Sequence, residues 1–196
     1  MKTIILATHN HGKVAEFNEL LSAFAYNFVP QSQFGVPDIE ETGLSFVENA
    51  LLKARHASQL TGMPALADDS GICIDALKGA PGIYSARYAG EHGNSKANIA
   101  KVLAELKDVP KNQRQAKFVC CLVYVEHADD QLPLVYQGIW PGEILFAEQG
   151  EKGFGYDPIF YVPDYHCSAA ELAPEVKNKI SHRARALAQL ASLALY

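Results

Sequence analysis

The sequence contains no apolar run approaching the roughly 18 residues that a membrane-spanning helix needs, so no membrane partner is expected. Its first residues, MKTIILATHN, carry one lysine and only a short apolar run, with no small-residue cleavage pattern behind it. That is too short for the core of a signal peptide, and it reads as a first strand. Cysteine is scarce: Cys73, Cys120, Cys121 and Cys167 include no C-x-x-C pair, and their spacing does not suit zinc. Three of them lie in apolar runs, so reduced core thiols in a cytoplasmic protein are expected. Positive charge is also short, with a net charge of −5. A broad nucleic-acid surface is normally basic, so no nucleic-acid partner is expected. A small anion is compatible, provided that local cations or a metal offset the overall field. Internal repeats and low-complexity segments are absent.

What is present suffices for one sizeable core. The chain has 196 residues, of which 48% are apolar, and one domain or two closely joined lobes is the expectation. Residues 3–8 read as a buried strand. From Lys13 the period changes, and Val14, Phe17, Leu20, Leu21 and Phe24 fall on one helical face. Ser45 and Glu48 form a capping-box pattern. The helix behind it, through Phe46, Ala50, Leu51 and Ala54, ends at Gly62 and Pro64. Residues 65–68 and 72–77 read as two short strands around an Asp69-Ser70-Gly71 turn. Residues 79–97 read as irregular, and residues 98–107 as a short amphipathic helix. Residues 116–127 have the strongest strand pattern. LVYQGIW and GEILF suggest two more strands, with a turn at Ala128-Asp129-Asp130 before the first. A final helix is expected over about 174–194, with Pro174 at its start. Strands mixed with helices predict an α/β fold with a mixed central sheet, in which ligands tend to sit where loops converge at strand ends.

Five stretches carry chemistry. In THNHGK a strand feeds a glycine-containing loop and then a helix, an arrangement that offers backbone N–H groups and a positive dipole end to an anion. Lys13 adds a full charge. It is not a Walker A loop, because the early glycine is missing and Val14 follows the lysine. An ordinary strand-helix turn with a surface lysine reads equally well. His9 and His11, without further ligands, make a poor metal site. In DDSG, Asp68 and Asp69 are adjacent carboxylates at a strand end that cannot both be buried without partners. Mg²⁺ is one such partner, since it takes carboxylate oxygens and keeps waters; an Asx-type turn closed by Gly71 is the plainer alternative. Glu40 and Glu41 form a second acidic pair, or a solvated loop. GFGYDP sets Phe154, Tyr156 and Asp157 among glycines, as a stacking platform with a polar edge or as a turn with core aromatics. Ser181, His182 and Arg183 place donors near a helix.

The order and combination of these stretches are more specific than any one of them. LATHNHGKVAEF, EETGLSFVENALLKARHA, ALADDSGICIDALKGAPGIYSARYAG, GFGYDPIF and KNKISHRARAL run from Leu6 to Leu187. In them the chain resembles the inosine triphosphate pyrophosphatase family, which removes non-canonical purine nucleoside triphosphates. The resemblance implies an elongated two-lobed α/β fold with a cleft between the lobes, and a homodimer. It implies hydrolysis of ITP, dITP or XTP to the monophosphate and pyrophosphate with Mg²⁺. It puts the phosphate loop on Thr8, His9, Asn10, His11, Gly12 and Lys13. The catalytic acidic pair falls on Asp68 and Asp69; Glu40 and Asp69 become metal ligands, with Asp69 also the general base, and Ser70 becomes a substrate contact. The base pocket falls on Phe154, Gly155, Tyr156 and Asp157, completed by Lys177, His182 and Arg183. One departure stands out: the family usually has glycine where this chain has His9.

This resemblance gives the acids and the Gly-Lys turn opposite ends of one substrate. Lys13 and the loop N–H groups, with Lys53, would hold the phosphates, and a carboxylate near the metal would take the proton of the attacking water. Hypoxanthine and xanthine carry O6 where adenine carries an amino group, so donors from Arg183, His182 or backbone N–H groups would favour the oxo bases by as much as about 10⁴-fold. Rejection of guanine does not follow from this. A pyrophosphatase for pyrimidine or modified nucleotides would not need the GFGYD and SHR stretches together. A non-catalytic nucleotide-binding module would not need Asp68, Asp69 and Glu40 together.

Overall fold

The computed structural model describes residues 2–10, 13, 14, 17 and 26–191. The expected first helix falls largely outside these, as do His11 and Gly12, although Lys13, Val14 and Phe17 are helical. In chain order the elements are β1 (Thr3–Leu6), β2 (Asn27–Pro30), α1 (Phe46–Thr61), β3 (Ala65–Ile74), α2 (Ser95–Glu105), β4 (Gln115–Val125), β5 (Leu134–Ile144), β6 (Phe160–Val162), β7 (Cys167–Ser168), α3 (Pro174–Ile180) and α4 (His182–Ala191). The strands form one seven-stranded sheet in the order β2-β1-β3-β4-β5-β6-β7. β1 runs parallel to β2 and β3, while β5, β6 and β7 alternate in direction. The mixed α/β sheet expected from the sequence is therefore present.

The chain divides into two compact units. The first comprises Met1–Asp69, Cys120–Gly138 and Arg183–Tyr196. In it β1, the start of β3 and the end of β4 are buried on both faces, and the period of two sorts their side chains into two cores. Ile4, Leu6, Leu66, Cys120, Leu122 and Tyr124 point to one face, where Phe17 and Ala186, Leu187 and Leu190 of α4 cover them. Ile5, Ala7, Ala65, Ala67, Cys121, Val123 and Val125 point to the other, under Ala50, Ala54 and Ala57 of α1. The alanine face of α1 lets that helix lie close to the sheet. Ser45 caps it, accepting the Glu48 N–H, and the Glu48 carboxylate returns to the Leu44 N–H at 2.8 Å and the Ser45 hydroxyl at 2.8 Å. Gly62, with φ of 68°, closes it.

The second unit comprises Ser70–Val119 and Ile139–His182. One core fills it, built from Ile72, Ile74, Ile99, Val102, Leu106, Phe118, Trp140, Tyr156, Phe160 and their neighbours. Arg114 is buried in this unit with no carboxylate partner among the described residues. Its guanidinium donates to the carbonyls of Leu106 (2.7 Å), Val109 (3.3 Å), Ile144 (2.8 Å) and Leu145 (2.9 Å), and lies 4.3 Å from the Phe146 ring centre. One fixed fork thus ties the end of α2 to the end of β5.

Several boundaries differ from the sequence reading. β3 is one continuous strand, because Asp68 and Asp69 are buried with cationic partners and do not need a solvated turn. β5 is also single and runs through Pro141; it pairs with β6 at Glu143 and Ile144, past the residue that has no N–H to give. The segment expected to be irregular contains a 3₁₀ helix at Gly82–Arg87, and α2 starts at Ser95 on an Asn94 cap. The last helix breaks at Ser181 (φ −64°, ψ 162°), whose extended geometry is that of an N-cap, a position serine favours.

Replacing Arg114 by methionine removes every donor of the fork and strands the carbonyls that it serves. The expected loss is about 3 kcal/mol of unfolding free energy, read as a lower urea midpoint at unchanged slope. A loss below about 1 kcal/mol would show that those carbonyls find other donors cheaply.

Candidate active site

Strand periodicity decides the arrangement of the acid pair. Neighbouring residues of β3 point to opposite faces, so Asp68 and Asp69 enter different environments although they are bonded in sequence. Asp68 shares its face with Leu66. There its Oδ2 accepts from the Arg183 guanidinium at 3.2 and 3.3 Å and meets the Lys13 ammonium at 3.0 Å. The Cys120 thiol lies 3.4 Å from Oδ1. Arg183 is itself buried on α4, with its guanidinium 5.7 Å from the Phe17 ring centre.

Asp69 shares its face with Ala67, under α1. Lys53 of that helix donates to Asp69 Oδ1 at 3.0 Å and to Glu41 at 2.8 Å. Two carboxylates share one ammonium. Burial is the largest influence on Asp69 and pushes its carboxyl above the usual aspartate range; Glu41 adds to this, and Lys53 and Lys13 only partly oppose it. For Lys53, burial acts to lower the ammonium, but Asp69 and Glu41 together outweigh it and hold it above its ordinary value. The second oxygen, Asp69 Oδ2, is buried and has no hydrogen-bond partner in the structure. Such an atom is costly unless a ligand claims it.

That orphaned oxygen is the test of fit for Mg²⁺. Among the described residues no group of three or more histidine, cysteine or acidic side chains converges, so there is no all-protein cage there. Mg²⁺ does not require one, since it commonly takes one or two carboxylates and fills its octahedron with waters and phosphate oxygens. Asp69 and the Glu40–Glu41 loop suit it. Glu40 is exposed, and it is Glu41 that carries the Lys53 contact.

The loop after β1 is organised by Asn10. Its Oδ1 accepts the Lys13 N–H at 3.1 Å and its carbonyl accepts the Val14 N–H at 2.9 Å, as an N-cap does. The Thr8 hydroxyl accepts the Asn10 N–H at 3.1 Å. His9 faces neither acid. Its Nδ1 lies 2.6 Å from Asp38 and 2.8 Å from the Gln31 amide nitrogen. His11 and Gly12, the remaining residues of the expected phosphate loop, lie outside the described residues.

In the second unit, the GFGYD loop is held by its own aspartate. Asp157 is buried, and its Oδ2 accepts the Phe154 N–H at 2.8 Å and the Lys177 ammonium at 2.6 Å. Gly153 has φ of 78°, and a Cβ there would run into the Asp157 carboxylate. Phe154 is 37% exposed, with the Lys177 ammonium 5.1 Å from its ring centre. Tyr156, by contrast, is a core residue at 5% exposure. Gly155 has φ of 63°, and Ser70 is half-buried on β3. The His182 imidazole stacks on Phe118 (4.8 Å, 13°) and lies near-parallel to Trp140 at 6.3 Å.

The structure places two of the expected base-pocket residues against protein groups. The Arg183 guanidinium, expected at a purine oxygen, pairs with Asp68, a buried carboxylate that requires a cation. Tyr156, grouped with the base pocket, packs in the core of the second unit. Sequence reading also missed the stacking of Phe118 and Trp140 on His182. Nothing in the spacing of residues 118, 140 and 182 marks it.

The comparisons with known proteins can be set against this geometry. The Ham1 family model matches residues 4–193. The dITP/XTP pyrophosphatase of Photorhabdus laumondii is 57% identical over 187 residues, covering 95% of each chain. That of Vibrio cholerae is 56% identical over 190 residues, covering 97% of this chain and 95% of the relative. Among solved structures, a HAM1 protein from Coxiella burnetii superposes with a TM-score of 0.91 at 52% identity, covering 98% of both chains. A dITP/XTP pyrophosphatase from Mycobacterium abscessus does so with a TM-score of 0.78 at 42% identity, covering 97% of this chain and all of that one. Ordered motifs, mixed sheet and near-complete matches agree, and the chain belongs to the Ham1 family.

Proposed function

We propose that this protein hydrolyses non-canonical purine nucleoside triphosphates, dITP, ITP and XTP, to the nucleoside monophosphate and pyrophosphate, keeping them out of nucleic acids. The names of relatives matched over 95% of each chain support the substrate class. The observation that carries the mechanism is Asp69 Oδ2, buried without a partner beside an ammonium that already occupies Oδ1.

In this reading the first unit handles the phosphates. Lys53 holds Asp69 Oδ1, which fixes the carboxylate and leaves Oδ2 for chemistry. Asp69 accepts the proton of the water that attacks the α-phosphorus, and its raised proton affinity suits that task. Pyrophosphate leaves as one unit. The phosphate tail would meet the loop that follows β1, with Lys13 and Lys53 supplying charge. Mg²⁺ on Asp69 and a carboxylate of the Glu40–Glu41 pair would supply Lewis-acid neutralisation of the phosphate oxygens. Asp68 does no chemistry; it is the anion that holds Arg183 and Lys13.

The second unit reads the base. Phe154 offers an exposed ring for stacking, which is nearly indifferent to base identity. Lys177, His182 and backbone N–H groups of residues 153–157 are donors for O6, which adenine lacks. The family resemblance supports a homodimer acting in the cytoplasm on free nucleotides. The four free cysteines agree with a reducing compartment, and no helix among the described residues is long and apolar enough to cross a membrane.

Asp69→Asn should keep the fold and lower kcat for dITP by about 10³-fold, since an amide cannot take the water's proton. Turnover within about threefold of wild type at saturating Mg²⁺ would remove Asp69 from the base role. With dITP as substrate, orthophosphate should appear only when inorganic pyrophosphatase is added; direct release leaving dIDP would mean attack at the γ-phosphorus. Removing divalent ions with EDTA should abolish turnover, and excess Mg²⁺ should restore it. Undiminished activity in EDTA would remove the metal from the account.

A further inference from the structure

Tyr156 sits inside the loop assigned to the base, yet its hydroxyl donates to the Ser85 carbonyl at 2.8 Å in the buried interior of the second unit. Ser85 is a junction. Its Oγ accepts the Ile72 N–H of β3 at 2.9 Å and donates to the Gly82 carbonyl at 2.6 Å, closing a turn of the 3₁₀ helix. Its carbonyl also takes a bond from Asn98 Nδ2 at 3.3 Å. Asn98, 3% exposed on α2, donates again to the Ala86 carbonyl at 3.2 Å and accepts the Ala89 N–H at 2.7 Å. Two carbonyls on one side and an N–H on the other fix which way its amide faces. All three bonds of Asn98 go to backbone that a 3₁₀ segment leaves without helical partners.

We infer that Ser85, Asn98 and Tyr156 form a buried anchor that positions the 153–157 loop for base discrimination. The inference rests on the proposed function, in which this loop receives the purine. None of the three touches the substrate, so they are positioning residues. The loop is already held internally by Asp157, through the Phe154 N–H and Lys177. What remains is to hold that assembly in place as a body, and the Tyr156 hydroxyl is the polar tie from the loop to the 3₁₀ helix. Stacking on Phe154 tolerates small displacements. Hydrogen bonds to an O6 edge do not, because they depend on donors set to a fraction of an ångström. Loosening the anchor therefore costs discrimination before it costs turnover.

The test uses the full-length protein and two variants. Tyr156→Phe removes one oxygen and keeps the ring. Asn98→Asp keeps the acceptor for the Ala89 N–H and loses both donors. kcat and KM are measured for dITP and dATP on wild type and on each variant. The ratio of the two kcat/KM values does not depend on how much of the enzyme is folded, so a merely structural defect leaves it unchanged. Tyr156→Phe is expected to lower the dITP-to-dATP ratio about tenfold, through KM for dITP, with kcat within about threefold. Asn98→Asp should move the ratio in the same direction, and decides the matter if Tyr156→Phe does not fold. Equal losses on both substrates overturn the anchor and leave Tyr156 a core residue. A wild type that prefers dITP beside variants with an unchanged ratio overturns the anchor alone. A wild type with no preference for dITP overturns the proposed function, and the anchor with it.

Discussion

A strand buried on both faces cannot give two neighbouring residues the same surroundings. That constraint, applied at Asp68 and Asp69 of β3, organises the first unit of this protein. Each carboxylate must find a cation on its own side. The Asp68 face is covered by α4, which brings Arg183, with Lys13 beside it. The Asp69 face is covered by α1, which brings Lys53. The two helices therefore do more than bury apolar surface. Each delivers the charge without which its half of the acid pair would be too costly to bury.

The outcome is unequal, and the inequality is chemical. Two cations serve Asp68, so it is fully compensated. Asp69 shares one cation with Glu41, keeps an oxygen without a partner, and has its proton affinity raised. A compensated acid stabilises a fold. An under-compensated acid waits for a ligand, and in the proposed reading a hydrated divalent cation with the substrate's phosphates would meet that need. This also accounts for an acidic chain that handles a polyanion: the cations that matter are placed locally, and a metal would add the rest.

The sequence made local facts legible and left long-range ones out. The capping box at Ser45 and Glu48, the alternation through β4 and the glycine-rich turns all signal within a few residues, and each appears in the structure. The pairing of Arg183 with Asp68 spans 115 residues, and the Tyr156–Ser85 bond spans 71. No spacing rule reaches that far. β2, β6 and β7 are too short to show a period. The break at Ser181 uses neither glycine nor proline, so a continuous helix was the natural reading. The order of the motifs supplied the family where periodicity could not, but it did not show that Tyr156 packs in a core or that Arg183 pairs with Asp68.

The unequal roles of the two adjacent acids are tested most directly by equilibrium unfolding of Asp68→Asn and Asp69→Asn, side by side at neutral pH. Neutralising Asp68 takes its charge away from the buried Arg183 and the half-buried Lys13, and should cost about 3 kcal/mol or more. Neutralising Asp69 removes a buried carboxylate that shares Lys53 with Glu41, and should change stability by less than about 1 kcal/mol, or raise it. Equal losses from the two variants would mean that both acids are structural partners of their helices, and would contradict the division of labour on which this account rests.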